Sequence, residues 1–246
     1  MTRTQLSVNV NKYALLRNAR GHNTPDLLTA VDTCLRAGAH GITVHPRRDE
    51  RHIQKADVPI LARHLADHWP GVELNVECED HPEILEVVHA VRPAQCTLVP
   101  VTPGEVTSDH GWRLPEEGER LAPVIAALRA DGIRVSLFAD VTADFAAFAQ
   151  VGAHRVELYT GPYAWAWGTP EQADARADMW RAAIQAGACG LGLNAGHDLD
   201  RHNLAGLLGL PGLLEVSIGH AQICRALEVG TRQSVQELLA ALGHAV

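Results

Sequence analysis

The sequence GITVHPRRDERHI, residues 41–53, begins as an apolar segment and ends in ionisable side chains. Gly41–Val44 predicts a buried strand, and His45 follows it directly. The next residues add three arginines and a second histidine: Arg47, Arg48, Arg51 and His52. Parallel α/β folds present their sites at the carboxyl ends of such strands. A solvated turn is the alternative interpretation, and recurrence of the same pattern along the chain argues against it.

Seven further segments have the same apolar character and alternate with helical patterns. They cover residues 6–11, 73–78, 96–100, 134–140, 155–161, 189–196 and 213–220. Eight strands alternating with helices in 246 residues predict a (β/α)8 TIM barrel that forms one domain over residues 1–246. A doubly wound open sheet is the alternative, but no GxGxxG follows the first strand.

Local signals predict where several helices and loops begin. Thr24-Pro25-Asp26 predicts a helix start with Thr24 as the cap. Apolar spacing predicts helices over residues 121–130 and 235–242, and a loop over residues 162–168. The long segment of residues 101–114 predicts a functional loop with glycine hinges.

Composition narrows the classes of partner. The formal net charge is −8, which argues against nucleic acid or an anionic membrane. No apolar run approaches the roughly 20 residues of a membrane span. The five cysteines form no CxxC, and MTRTQLSVNV leads directly into a strand. We therefore expect no signal peptide, reduced thiols and a cytoplasmic location.

Polar residues recur at the predicted strand ends, which converge on one mouth of a barrel. They are Asn9, Asn11, Lys12, His45, Arg47, Glu77, Asp140, Glu157, Thr160, His197, Gly219 and His220. Any one of them is compatible with a satisfied core polar group. Burying so many ionisable groups together is too costly unless they function, so the set predicts an active site.

Two segments predict phosphate binding. One carries Arg47, Arg51 and His52 after the second strand. The other is Gly219-His220, where the last strand meets a helix N-terminus whose free N–H groups favour an anion. Two such segments imply one bisphosphate or two phosphorylated substrates.

Metal and imine chemistry are less favoured. Histidines and Glu77 offer ligands, but no HxH lies on a strand and the arginines beside His45 repel a cation. Lys12 is the lysine nearest the mouth, and the sixth strand lacks the lysine of familiar barrel aldolases. We therefore expect neither a metal nor a Schiff base.

Several motifs together resemble the pyridoxine 5′-phosphate synthase family, from Leu6 to about Leu242. They are SVNVNKxALLRNARG, GITVHPRRDERHI, LNVE, LVPVTPGEVTSDHGW, VSLFAD, ELYTGPYA, LNAGHDL and SIGHAQICRAL. The resemblance implies a cytoplasmic barrel with extra helices, assembled as a homo-octamer, without metal or organic cofactor. It also implies condensation of 1-deoxy-D-xylulose 5-phosphate with 3-amino-2-oxopropyl phosphate to pyridoxine 5′-phosphate, phosphate and water.

The resemblance further implies roles for individual residues. His45 and Glu77 fall on the catalytic bases and His197 on the acid. The deoxyxylulose phosphate site falls on Asn11, Lys12, Arg47, His52 and Thr107. The amino-ketone phosphate site falls on Asn9, Arg20, Asp198, Gly219 and His220. The chain departs from many members at Asn11-Lys12, where they have Asp-His, and at Asp198, where they have glycine.

Two other functions compete with this one. A metal-dependent TIM-barrel hydrolase acting on a phosphorylated small molecule would use the same histidines and carboxylates as ligands. A non-catalytic binder of phosphorylated ligands would need the arginines but not the proton-transfer groups. Zinc bound to the purified protein, and activity that a chelator removes, would favour the hydrolase. Cellular function that is unchanged in the His45→Ala variant would favour the non-catalytic binder.

Overall fold

In a computed structural model, which describes residues 3–102 and 108–246, parallel strands close into an eight-stranded barrel in chain order. The strands are β1 (Gln5–Asn9), β2 (Gly41–Val44), β3 (Glu73–Cys78), β4 (Gln95–Leu98), β5 (Arg134–Ala139), β6 (Arg155–Tyr159), β7 (Gly192–Gly196) and β8 (Leu213–Ile218). Strand β1 pairs with both β2 and β8, which closes the sheet. The predicted TIM barrel is confirmed.

Helices surround the barrel and outnumber its strands within the described ranges. They are α1 (Asn11–Asn18), α2 (Leu27–Arg36), α3 (Asp57–His68), α4 (Pro82–Val91), α5 (Leu114–Ala130), α6 (Phe145–Gln150), α7 (Gly161–Trp165), α8 (Gln172–Ala188), a 3₁₀ helix (Asn203–Leu207), α9 (His220–Val229) and α10 (Thr231–Ala241). Two helices follow each of β1, β6 and β8. In residues 3–102 and 108–246, no helix has the length and apolar character needed to span a membrane.

The two faces of the barrel wall differ in chemistry. Outward-facing side chains such as Val8, Ile42 and Val76 are fully buried in the apolar core shared with the helices. The inner face is polar: the hydroxyl of Thr43 lies 2.7 Å from that of Ser7 and accepts from the Asn75 amide at 3.3 Å. Because strand side chains alternate between faces, one strand supplies both environments.

The structure corrects the predicted end of the first strand. Strand β1 ends at Asn9, and Asn11 is the first residue of helix α1 rather than a strand residue. The N–H groups of Tyr13 and Ala14 donate to the carbonyl oxygen of Val10, which starts the helix. Asn9 and Asn11 therefore do not share a strand face.

Other boundaries also differ from the predictions. Asp26, not Thr24, caps helix α2, because its carboxylate accepts the Thr29 N–H at 2.7 Å. The segment predicted as a loop over residues 162–168 begins with helix α7, whose first turn accommodates Pro162. Helices α5 and α10 begin earlier than predicted, since polar first turns carry no apolar periodicity.

Candidate active site

A cavity of about 550 Å³ opens at the carboxyl ends of the strands. It is lined by eleven of the residues that the family resemblance singles out: Asn9, Asn11, Lys12, His45, Arg47, His52, Glu77, His197, Asp198, Gly219 and His220. Arg51 and Glu157, also identified from the sequence, line it as well. Residues as distant in sequence as Asn9 and Gly219 therefore meet at one mouth, because each lies at the end of a strand of the same barrel or directly after it.

One predicted binding residue of the described ranges, Arg20, is not brought together with this group. Arg20 is exposed, two residues beyond the end of helix α1, and does not line the cavity. Thr107 lies outside the described residues. Asp140 and Thr160, which the sequence places at the mouth, also do not line the cavity.

Two asparagines brace the first strands at the mouth. The Asn11 N–H donates to Oδ1 of Asn9 at 3.0 Å, and the His45 N–H donates to Oδ1 of Asn11 at 2.9 Å. The Asn9 amide also lies 3.4–3.5 Å from both carboxylate oxygens of Glu77. These bonds fix the ends of β1, β2 and β3 relative to each other.

His45 and Glu77 form a largely buried pair at the ends of β2 and β3. Nδ1 of His45 lies 3.5 Å from Oε2 of Glu77. Burial, followed by electrostatic interaction with His52 and Arg47, lowers the pKa of His45 well below its usual value. Burial raises the pKa of Glu77 to about 7, although His197 opposes this shift. His45 is therefore neutral at neutral pH, and Glu77 is poised to exchange a proton there.

The other ring nitrogen of His45 is directed into buried space. Nε2 of His45 has no hydrogen-bond partner among residues 3–102 and 108–246. A buried polar atom left unsatisfied is costly, so its position indicates a partner that arrives with substrate. A neutral imidazole at this position is able to accept a proton from that partner.

Two further carboxylates lie inside the barrel near Glu77. Burial, with the negative charge of Glu77 and Glu215, raises the pKa of Glu157 well above its usual value. Burial also raises the pKa of Glu215 to about 7. A side chain on Gly196 would collide with Oε1 of Glu157 and would force that carboxyl to move. A protonated Glu157 presents a hydrogen-bond donor to the cavity.

The backbone at His197 is unusual. His197 has φ of 89° and Asp198 has φ of 55°, both in the region that favours glycine. The Thr160 hydroxyl donates to the carbonyl oxygen of Gly196 at 2.6 Å and also contacts that of His197. Strained residues of this kind persist where surrounding contacts hold them and cluster at functional sites.

Asp198 occupies the position where many members of the resembled family have glycine. Its Oδ2 accepts the indole N–H of Trp165 at 3.0 Å, and its Oδ1 lies 3.9 Å from Nδ1 of His197. The neighbouring His197 lowers the pKa of Asp198, although burial opposes this shift. The carboxylate is therefore ionised and oriented by an exposed tryptophan.

The segment after β2 forms the first predicted phosphate site. Nδ1 of His52 accepts the Ile53 N–H at 2.9 Å. Burial, followed by the positive charge of Lys12 and Arg47, lowers the pKa of His52 to about 4. Neutral His52 therefore carries its proton on Nε2, which makes that atom a donor next to the arginines.

The end of β8 forms the second predicted phosphate site. Gly219, His220 and Ala221 line the cavity at the N-terminus of helix α9. A Cβ on Gly219 would lie 2.8 Å from the carbonyl oxygen of Asn9. Glycine is thus needed for the close approach of β8 to β1, and the helix N-terminus favours an anion.

Some lining residues did not emerge from the sequence. Ser217 lies on the inner face of β8 and its hydroxyl lowers the pKa of Glu77. The ring of Phe138 lies tilted against that of Tyr159, with 5.6 Å between the ring centroids, and packs with Val99 into an apolar wall. The alternation of β8 would have identified Ser217, because it lies two residues after Glu215 on the same face. Nothing in a short apolar strand identifies Phe138.

Across residues 3–102 and 108–246, no three histidine, cysteine, aspartate or glutamate side chains are grouped so that they could hold a metal ion.

Comparison with known proteins identifies the family of this chain. Residues 6–244 match the family model described as "Pyridoxal phosphate biosynthesis protein PdxJ". The chain belongs to the PdxJ family. "Pyridoxine 5'-phosphate synthase" of Xanthomonas campestris pv. campestris (strain B100) is 50% identical over 246 residues, with 96% of this chain and 95% of the relative covered. The protein of that name from Albidiferax ferrireducens is 50% identical over 243 residues, with 96% of each chain covered.

More distant structures resemble this PdxJ family chain in fold alone. The tryptophan synthase α subunit of Pyrococcus furiosus has a TM-score of 0.66 at 13% identity, with 97% of this chain and 98% of that chain covered. Phosphoribosyl anthranilate isomerase of Thermus thermophilus has a TM-score of 0.61 at 14% identity, with 98% of both chains covered.

Proposed function

We propose that this chain is a pyridoxine 5′-phosphate synthase. It condenses 1-deoxy-D-xylulose 5-phosphate with 3-amino-2-oxopropyl phosphate to give pyridoxine 5′-phosphate, inorganic phosphate and water. One observation carries the proposal: a single cavity holds the His45–Glu77 pair together with two anion-binding elements. Relatives that are 50% identical over nearly the whole chain carry the name of this activity.

The reaction needs several proton transfers. An amine condenses with a ketone and loses water, a phosphate leaves, and a ring closes and becomes aromatic. We assign His45 and Glu77 as bases that act on different substrate protons and His197 as the acid. A neutral imidazole and a carboxyl with a pKa of about 7 fit these roles at neutral pH. Each such assistance contributes about 10²- to 10⁴-fold in rate.

The remaining assigned residues hold the two substrates. We assign the deoxyxylulose phosphate to Asn11, Lys12, Arg47, His52 and Thr107, and the amino-ketone phosphate to Asn9, Arg20, Asp198, Gly219 and His220. Holding two flexible phosphates in one cavity lowers the entropic cost of bringing their reacting atoms together. The Asp198 side chain is directed towards Trp165, and we assign the backbone N–H of Asp198 to the phosphate.

Further properties belong to the proposal. We assign the enzyme to the transferase class, without metal or organic cofactor, and treat residues 1–246 as one domain. We expect a cytoplasmic homo-octamer with small phosphorylated substrates and no nucleic-acid or membrane partner. Barrel closure by the first and last strands supports the single domain.

The test is direct. The purified protein is mixed with both substrates, and formation of pyridoxine 5′-phosphate is followed by absorbance and mass spectrometry. Omission of either substrate is the control and should abolish the signal. Activity that is lost to a chelator and restored by zinc would favour a metal-dependent hydrolase instead. Binding of both substrates without product would leave a binding protein.

A further inference from the structure

The segment that carries the first phosphate site is held by one side chain of helix α1. Nδ2 of Asn18 lies 3.4 Å, 3.3 Å and 2.7 Å from the carbonyl oxygens of Glu50, Arg51 and His52. Three successive carbonyl oxygens thus converge on one amide group. The shortest bond is made to His52, the residue whose imidazole lines the cavity.

The orientation of the Asn18 amide is itself fixed. Nε of Arg17 donates to Oδ1 of Asn18 at 3.0 Å, which leaves Nδ2 to face the carbonyl oxygens. Both terminal nitrogens of Arg17 donate to Asp57, each at 2.8 Å. The side chains of this ion pair are only 11% and 12% exposed. A buried bidentate pair of this kind sets geometry as well as charge.

The same carboxylate reaches the far end of the segment. Oδ2 of Asp57 accepts the Gln54 N–H at 2.8 Å. Glu50 has φ of 48°, a conformation that non-glycine residues rarely adopt. The segment of residues 50–54 is therefore held at both ends in a turn that its own sequence does not favour.

We propose that Asn18 is a positioning residue for the phosphate of the deoxyxylulose substrate, and that Arg17 and Asp57 orient it. Asn18 holds residues 50–52 so that Nε2 of His52 faces the phosphate; the inference rests on the proposed function. Asn18 is not placed to touch either substrate, since it bonds backbone carbonyl oxygens and does not line the cavity. Among residues 3–102 and 108–246, no hydrogen bond joins Asn18 to Gly219 or His220, so the two phosphates should respond differently to its replacement.

The test uses Asn18→Asp, which keeps the acceptor for Arg17 and turns the donor into an oxygen that repels the three carbonyls. We expect the KM for deoxyxylulose phosphate to rise at least about ten-fold, and the KM for the amino-ketone phosphate to change less than about two-fold. Asn18→Ser removes the amide without adding charge and should show the same split. Asn23→Asp makes the same change at an exposed amide that donates to Asp26 and should leave both KM values unchanged.

Thermal melting of each variant separates a misfolded protein from a mispositioned segment. Folded variants in which both KM values rise together, or neither rises, overturn the proposal. A crystal soak in inorganic phosphate tests it without turnover: the anion at His52 should be lost in Asn18→Asp, and the anion at Gly219 should remain. If the wild type forms no pyridoxine 5′-phosphate, the proposed function fails, while equal anion occupancy at His52 in both proteins refutes the role of Asn18.

Discussion

Nδ1 of His45 lies 3.5 Å from Oε2 of Glu77, across the ends of two adjacent strands. Both groups are buried, and burial shifts their pKa values in opposite directions: that of His45 falls and that of Glu77 rises to about 7. The two shifts have one cause, since burial disfavours the charged form of each. The pair therefore offers a neutral base beside a carboxyl that titrates near neutral pH.

Replacing either member of this pair should reduce turnover without unfolding the protein. We expect His45→Ala and Glu77→Gln each to lower kcat by about 10²- to 10⁴-fold, because each removes a proton acceptor. Steady-state kinetics measure the loss, and circular dichroism checks the fold. Near-normal turnover in either variant would remove that residue from the list of bases.

The pH dependence of turnover should report Glu77. As a base it must be ionised, so kcat/KM should rise as pH passes about 7. The charge of Glu215 raises the pKa of Glu77, and the Ser217 hydroxyl lowers it. Glu215→Gln should therefore move the acid limb of the profile to lower pH, and Ser217→Ala should move it to higher pH. Shifts in the same direction would mean that another group controls this limb.

Glu215 should also make stability depend on pH. Burial raises its pKa from 4.5 to about 7, so the folded state keeps a proton that the unfolded chain releases between these values. The free energy of unfolding therefore falls as pH rises through this range. Glu215→Gln does not titrate, so it should not lose this stability. Its free energy of unfolding relative to wild type should therefore be more favourable at pH 8 than at pH 4, by up to about 3 kcal/mol, as measured by urea denaturation. An equal difference from wild type at both pH values would contradict the assignment.

Anions should occupy two places in the cavity. In crystals soaked with phosphate or sulfate, we expect one anion at Arg47 and His52 and another at Gly219 and His220. Gly219→Ala brings a Cβ within 2.8 Å of the Asn9 carbonyl oxygen and should remove only the second anion. Wild-type density that is empty at Gly219 would refute this site.

Replacing Asp198 should strengthen substrate binding rather than weaken it. Its carboxylate lines the cavity near the proposed amino-ketone phosphate, and like charges repel. Asp198→Gly removes that charge and suits the φ of 55°. We expect the KM for the amino-ketone phosphate to fall by roughly two- to five-fold with the fold retained. Trp165→Phe, which removes the indole donor and keeps the carboxylate, is the matched control, and a KM that rises in Asp198→Gly would show that the carboxylate assists binding.

Lys12 should act as a hydrogen-bond donor rather than as a nucleophile. It lines the cavity beside the segment that carries His52. Lys12→Arg keeps the charge and should retain substantial activity, whereas Lys12→Ala should weaken deoxyxylulose phosphate binding by about ten- to 150-fold. Borohydride reduction in the presence of that substrate, read by mass spectrometry, is the check. A covalent adduct on Lys12 would place the enzyme in the imine-forming class.

The sequence by itself determined the barrel, because apolar strands such as Gly41–Val44 and the helical spacing between them are local patterns. It also determined most of the cavity lining, since a polar residue at a strand end must lie at the mouth once the strands are parallel. The sequence did not predict the polar first turns of α5 and α10. It also did not predict the helical position of Asn11, whose side-chain oxygen accepts the His45 N–H.

Only the tertiary structure decided the chemical state of the site. The pKa values of His45 and Glu77 depend on burial, and burial is produced by elements distant in the chain. The strained backbone of His197 and the amide of Asn18, 34 residues before His52, are likewise set by contacts between separate elements. Local periodicity encodes secondary structure, whereas dielectric environment and side-chain register arise only when the strands and helices have packed together.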